Sequence, residues 1–257
     1  MRTSDFSTIL FESLQLSGLD RYNISDETFS QVRDIVNQRL RTSWESQQWP
    51  DTIKIAKYTI ALDANDAQYV YVPSDAGEIF DCYNNDPRVT TKSLSIPFDL
   101  YRDGSSDKML FNVEPLSDIW VRYRIKKPEL YGTLYDTSTN YYTGSQIYFD
   151  TGSNTGTYTP VVGRPHYGNF YTCIAPSVAL SGQNPAANPT FWQKIEIPYI
   201  FATYLCKGFV ADNLRSELQF EAAQVAEQDA FVAMDLEVDK LLRQQGQMPK
   251  LRFQTPY

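Results

Sequence analysis

The longest regular pattern of apolar and polar positions lies toward the C-terminal side of the chain. Between Pro198 and Gln247, apolar residues recur every three or four positions and polar residues fill the gaps. This is the period of an amphipathic helix. It predicts one helix of about 70 Å, at about 1.5 Å per residue, or two helices with a break near Gln228 and Asp229. Gly246 then ends the pattern.

We expect this helix to pack against other helices through one apolar stripe. The stripe consists of Leu205, Leu214, Leu218 and Val225. Two shorter amphipathic patterns occupy residues 4–17 and Ser25–Ser46, and Ser25 has a side chain suited to capping the second helix. Because a helix pair cannot bury its apolar stripes alone, we expect the N-terminal and C-terminal helices to pack together.

After Gln68, alternation of apolar and polar residues replaces the helical period. Short strands separated by turn residues continue to Arg124 and predict a small antiparallel sheet or barrel. Residues 129–195 are rich in Gly, Thr, Tyr, Ser, Asn and Pro and predict a β-rich insertion. The expected fold class is therefore α+β: an α-helical bundle of the N-terminal and long C-terminal helices, with a small antiparallel β-sheet and a β-rich insertion.

These patterns divide the chain into five segments. They are the N-terminal helices of the bundle (1–62), the antiparallel β-domain (63–128), the β-rich insertion (129–195), the long C-terminal helix (196–248) and a C-terminal tail (249–257). The tail contains Leu251, Phe253 and Tyr257 but has no regular element of its own. We expect the tail to dock on another chain and to become ordered there.

Composition limits the classes of partner. The formal charge of −8 argues against general binding to nucleic-acid backbone or to anionic membrane, since both require clustered cations. The 18 tyrosines suit strands and interfaces, where a ring is half buried and its hydroxyl stays wet. The sequence has neither a secretory signal pattern nor an apolar run long enough to span a membrane, so no membrane association is expected.

Candidate chemistry is sparse. The single histidine, His166, has no nucleophile motif beside it, and the three cysteines form no CxxC pair. Asp103 and Asp107 flank Gly104, but a polar hairpin turn explains them more simply than a Ca²⁺ site. We therefore predict that the protein is not an enzyme and has no catalytic residue, metal site or cofactor.

The insertion has a local pattern of aromatic residues and glycines. Tyr141–Tyr148 is followed by Gly168–Tyr171 and then by Trp192. This order resembles the small chitin-binding type of carbohydrate-binding module. The resemblance implies that exposed aromatic rings stack on sugars, with Tyr142, Tyr171 and Trp192 as candidates. The same three side chains could instead form the core of a small β-fold.

A second resemblance covers the whole chain. Its segments are Ile24–Ser25, Ser43–Pro50, Asn85–Arg88, Asp118–Arg124 with Pro128, Tyr141–Gly144, Trp192–Pro198, Ala211–Leu214 and Gln244–Gln247. In this order they are similar to a family of tailed-bacteriophage virion proteins, the head-to-tail connector adaptors and related neck proteins.

This resemblance implies a structural protein of the phage neck, assembled in the host cytoplasm. Its copies would form a homo-oligomeric, dodecameric ring below the portal protein, and tail or other neck proteins would bind on the other side. DNA would pass through the lumen without sequence-specific binding, which a negative net charge favours. Arg252, Phe253 and Tyr257 are the candidate portal contacts.

Three other functions remain open from the sequence. A tail-completion or tail-tube protein would share the virion location. A host-glycan-binding adhesion module would use the aromatic residues of the insertion. A polysaccharide-degrading enzyme would require two facing carboxylates, and no pair among the 31 acidic residues stands out.

Overall fold

The structure is a computed structural model that describes residues 2–20, 24–63, 66–89, 93–104, 106–113, 115–150, 168–175 and 183–244. In this described part, four α-helices and fourteen strands in four sheets account for 37% and 30% of the residues, the helical share including two 3₁₀ turns. The predicted fold class, a helical bundle carrying a small sheet and an insertion, is wrong. The chain is instead mixed α/β, with nearly as much strand as helix.

The chain divides into two compact units. The first combines Met1–Ser43 with Pro128–Tyr257, and the second is the continuous segment Trp44–Lys127. The helices are α1 (Phe6–Leu16), α2 (Asp26–Ser46), α3 (Ala202–Ser216) and α4 (Phe220–Gln244). Short 3₁₀ turns lie at Pro50–Thr52 and Tyr199–Phe201.

The second unit contains two antiparallel sheets. One has the strand order β2-β9-β5-β6 and the other β3-β4-β8-β7. Their bounds are β2 (Ile53–Thr59), β3 (Ala61–Leu62), β4 (Gln68–Tyr71), β5 (Ala76–Tyr83), β6 (Ser95–Ile96), β7 (Asp99–Asp103), β8 (Ser106–Phe111) and β9 (Asp118–Ile125). Alternate residues of both sheets, among them Val70, Met109 and Val121, form one buried core. The alternation of apolar and polar residues that begins near Gln68 therefore belongs to strands of two sheets.

The first unit contains the other six strands. They are β1 (Thr3–Ser4), β10 (Thr133–Leu134), β11 (Gln146–Asp150), β12 (Gly168–Cys173), β13 (Trp192–Lys194) and β14 (Ile197–Pro198). Strands β10-β11-β12-β13 form one sheet, and β1 pairs with β14 just before α3.

The bundle prediction fails partly because the N-terminal helices pack on this sheet. The Phe6 ring of α1 meets Phe170 of β12 with a centroid distance of 5.0 Å, and the Phe29 ring of α2 meets Tyr148 of β11 at 4.8 Å. The backbone N–H of Phe6 also donates to Asn169 Oδ1. The apolar stripes of α1 and α2 are therefore buried in part against strands.

The C-terminal helical pattern forms two helices, and the break is not at Gln228–Asp229. It lies at Leu218, whose φ of 62° is in the left-handed region. Ser216 Oγ donates to the Asn213 carbonyl. The backbone N–H of Leu218 donates to the Arg215 carbonyl and that of Gln219 to the Leu214 carbonyl, so turn hydrogen bonds replace the next helical turn. The break allows α3 and α4 to fold back and pack on each other.

Gly208 of α3 lies against the Arg39 side chain, and a Cβ there would stand 2.5 Å from Arg39 Nε. Alanine at an open helix position stabilises by up to about 1 kcal/mol relative to glycine. Since Arg39 is held in place by two carboxylates, we expect the overlap to dominate. Gly208→Ala should lower the free energy of unfolding by about 1–3 kcal/mol.

Chemical denaturation measures this change. Gly77→Ala is the matched control, because a Cβ there meets only backbone atoms at ordinary contact distances of 3.4 Å or more. Equal or higher stability of Gly208→Ala would contradict the crowding between Gly208 and Arg39.

Candidate functional site

The first unit is organised by a buried arginine. Arg39 lies on the same face of α2 as Val32 and Val36 and is 6% exposed. Its Nε donates to Asp212 Oδ2 of α3 at 2.6 Å, and its Nη2 donates to Glu227 Oε2 of α4 at 2.7 Å. One guanidinium therefore binds carboxylates from two other helices and joins α2, α3 and α4.

A second arginine completes this ion cluster. Arg215 donates to Asp212 Oδ1 at 2.6 Å and to Glu227 Oε2 at 3.0 Å. Burial alone would raise the pKa of Glu227, but the hydrogen bond and charge of Arg39, and then the charge of Arg215, hold the pKa below its ordinary 4.5. Two cations and two carboxylates leave the cluster neutral when all are ionised.

The predicted packing stripe does not form one continuous buried face. Leu205 is fully buried and Leu214 partly buried in α3, whereas Leu218 and Val225 are exposed. Beyond the break, the buried face of α4 consists of Ala223, Ala230, Ala233 and Met234. The turn at Leu218 changes the direction of the chain and therefore which positions of α4 face inward. Continuing the helical spacing of α3 across this turn selects Val225, which lies on the exposed side of α4.

Two exposed apolar surfaces result on these helices. The helical corner is formed by Leu218 and Phe220 at the α3–α4 break, where both are exposed. The α4 stripe is formed by Val225, Val232 and Leu236, which are 62%, 54% and 55% exposed. Positions separated by 7 and 4 residues share one side of a helix. Clustered exposed apolar side chains are typical of protein–protein contact sites.

The candidate portal contacts Arg252, Phe253 and Tyr257 lie outside the described residues, as does His166. Their roles stay predictions.

The candidate sugar-binding residues of the insertion occupy different environments. Tyr171 and Trp192 are buried in a core with Tyr135, Tyr141 and Phe149. The Trp192 ring meets Tyr141 at 5.4 Å between centroids with an interplanar angle of 70°. Tyr142 is exposed. The structure thus places two of the three candidates in the core of the β-fold.

The charged and sulfur-containing groups singled out in the sequence have structural partners or are buried. Lys108 pairs with Asp103, and Arg102 lies 3.9 Å from Asp107. The thiols of Cys82, Cys173 and Cys206 are buried and free, and burial raises the pKa of Cys82 to about 12. Within the described ranges, no three His, Cys, Asp or Glu side chains converge as metal ligands, and no helix has the length and apolarity to cross a bilayer.

Comparison with protein-family models gives no match, and no curated protein matches the chain.

The sequence reading missed the ion cluster and the α4 stripe. A signal for the cluster was present, because Arg39 interrupts the apolar stripe of α2, and a buried charge requires partners. The partners Asp212 and Glu227 are more than 170 positions away, so local spacing could not identify them. The α4 stripe was missed because the buried face of α4 is mainly alanine, whereas its larger aliphatic residues Val225, Val232 and Leu236 are exposed. A pattern of large apolar residues therefore does not mark the buried face of this helix.

Because the folded-state pKa of Glu227 is lowered, its ion pairs contribute stability above the unfolded-state pKa. That contribution is lost as pH falls from about 4.5 through the folded-state pKa. Glu227→Gln should lower the free energy of unfolding by about 1–3 kcal/mol at neutral pH. The difference between the variant and wild type should become smaller as the pH falls below about 4.5. Unfolding free energies measured from pH 7 to pH 3 check the difference; a gap independent of pH would exclude this role for Glu227.

Trp192→Ala should destabilise the first unit by about 3–5 kcal/mol, since it removes a buried indole from the aromatic core. The control Tyr142→Ala changes an exposed ring and should stay within about 0.5 kcal/mol of wild type. Thermal and chemical denaturation compare the two variants. An unchanged unfolding midpoint for Trp192→Ala would show that the indole is not a core element.

Proposed function

We propose that the protein is a structural virion protein, a head-to-tail adaptor whose copies form a ring that docks on a portal. The ring connects capsid to tail and leaves a channel for DNA. The order of sequence segments described above supports this assignment. In this proposal the body of each subunit contains the first unit, with its helices and its sheet, in place of the helical bundle that the sequence predicted.

The helical corner is the observation that carries the proposal. Leu218 and Phe220 place apolar surface on the outside of the first unit, and exposed apolar clusters favour contacts between proteins. The ion cluster holds α3 and α4 on either side of the corner, so this surface is presented on a fixed frame. When such a surface meets a different patch on the next copy, the side-by-side contacts can close a ring.

A tail-completion protein is the second candidate, since it would use the same corner to assemble without binding a portal. The glycan-binding alternative has less support, because the rings of Tyr171 and Trp192 are inside a core and cannot stack on a sugar.

A portal-binding assay tests the proposal. Purified chain should be retained on the portal ring of the same phage, and deletion of residues 249–257 should abolish retention, because that segment holds the candidate contacts Phe253 and Tyr257. Failure of the full chain to bind the portal would overturn the adaptor assignment and favour the tail-completion protein.

The corner is tested on the same portal ring by counting bound copies. Phe220→Glu should reduce the number of copies bound, because charge at a subunit contact opposes its burial. Leu62→Glu is the matched control, since Leu62 and Phe220 are both 61% exposed. Equal loading of both variants would contradict a ring contact at the corner.

A further inference from the structure

The second unit has an open sheet edge at β7. Among the described strands, β7 pairs only with β8 and is the last strand of its sheet. All five residues of β7 are exposed. Leu100 is 58% exposed, whereas Met109 and Val70, which follow it across the same face of the sheet, are 0% and 4% exposed. The apolar row that is buried in this unit therefore ends in solvent at Leu100.

The backbone of β7 has hydrogen-bonding groups on this open edge. The Val72 N–H donates to the Asp107 carbonyl, so Asp107 directs its backbone toward β4. Because this direction alternates along an antiparallel strand, the next residue of β8 directs its backbone toward its β7 partner, Tyr101. Leu100 and Arg102 then direct their N–H and C=O groups away from β8. Such groups can pair with a strand of another chain.

Charge selects one antiparallel register between two copies of β7. When two copies continue one sheet, opposite residues must have the same backbone direction, so a residue of β7 lies at the centre of the pair. Asp99, Arg102 or Asp103 at the centre would lie opposite itself, and Tyr101 at the centre would place Asp99 opposite Asp103. Like charges directly opposite are destabilising. The charges thus oppose general pairing at this edge but permit the register centred on Leu100.

We propose that two copies of this chain pair through β7 as antiparallel strands centred on Leu100. Leu100 then meets its counterpart in the second copy, so the buried apolar row continues from one sheet into the other. Asp99 lies opposite Tyr101, which permits a hydrogen bond from the phenol to the carboxylate. Phe98, the residue before β7, lies opposite Arg102, which permits a cation–π contact.

The inference does not depend on the proposed function, because the ring contact is placed on the helical corner of the first unit and β7 belongs to the second unit. Phe220→Glu opposes the ring contact and leaves β7 unchanged. The experiments on β7 therefore use the full-length chain with Phe220→Glu as background, so that loss of the ring and loss of strand pairing are measured separately.

Cysteine cross-linking tests the register. In the proposed pair the two Leu100 Cα atoms are about 5.5 Å apart, which a disulfide can span. The native thiols of Cys82, Cys173 and Cys206 are buried. Leu100→Cys should therefore form a disulfide-linked dimer under mild oxidation, at least about ten times faster than the matched control Arg102→Cys. The two Arg102 Cα atoms would be about 14 Å apart, too far for a disulfide.

Sedimentation velocity measures the same contact without a cross-link. The chain should associate as its concentration rises, and Leu100→Lys should weaken association about tenfold or more, because it places like charges opposite each other. Leu62→Lys is the matched control, since Leu62 is 61% exposed at the other edge of the same sheet. Circular dichroism verifies that each variant is folded.

Two results overturn the proposal. One is cross-linking of Leu100→Cys that is absent or no faster than that of Arg102→Cys. The other is association that is absent, or equal in Leu100→Lys and Leu62→Lys, since copies would then meet through another surface or not at all.

Discussion

The positive charge of Arg39 is the constraint on which the helical part of the chain depends. A guanidinium at this depth must be paired, since an unpaired buried charge costs several kcal/mol. Asp212 and Glu227 reach it from separate helices, which fixes the rotation of α3 and α4 about their own axes. The absence of a side chain at Gly208 follows from the same constraint, because Arg39 occupies the space of a Cβ.

The rotation of α4 decides which residues face outward. With Glu227 turned toward Arg39, Ala223, Ala230 and Met234 face the interior, and Val225, Val232 and Leu236 are exposed. Small inward side chains let two helices approach closely. Each inward alanine buries less apolar area than a leucine would at the same position. The apolar side chains of the α4 stripe remain exposed and can contact another surface.

Local pattern predicted the positions of several elements but not how they assemble. The spacing of apolar residues located α1 and α2, and Ser25 Oγ accepts the Thr28 backbone N–H as an N-cap should. The class of fold was wrong, because periodicity does not show which surface buries a stripe: Phe6 and Phe29 contact aromatic residues of a sheet. The break at Leu218 was missed because a leucine in the left-handed region has no composition signal.

The first unit combines Met1–Ser43 with Pro128–Tyr257, whereas the second unit, Trp44–Lys127, is one continuous segment. Domains generally fold as units while the ribosome extends the chain from its N-terminus. The second unit is complete once its own residues have emerged, before α3 exists. During that interval Arg39 has neither carboxylate partner, and Phe6 and Phe29 lack the strands that cover them. Until those later elements have been synthesised, the Arg39 guanidinium stays solvated and the Phe6 and Phe29 rings stay uncovered, so this unit closes only through contacts between distant parts of the chain.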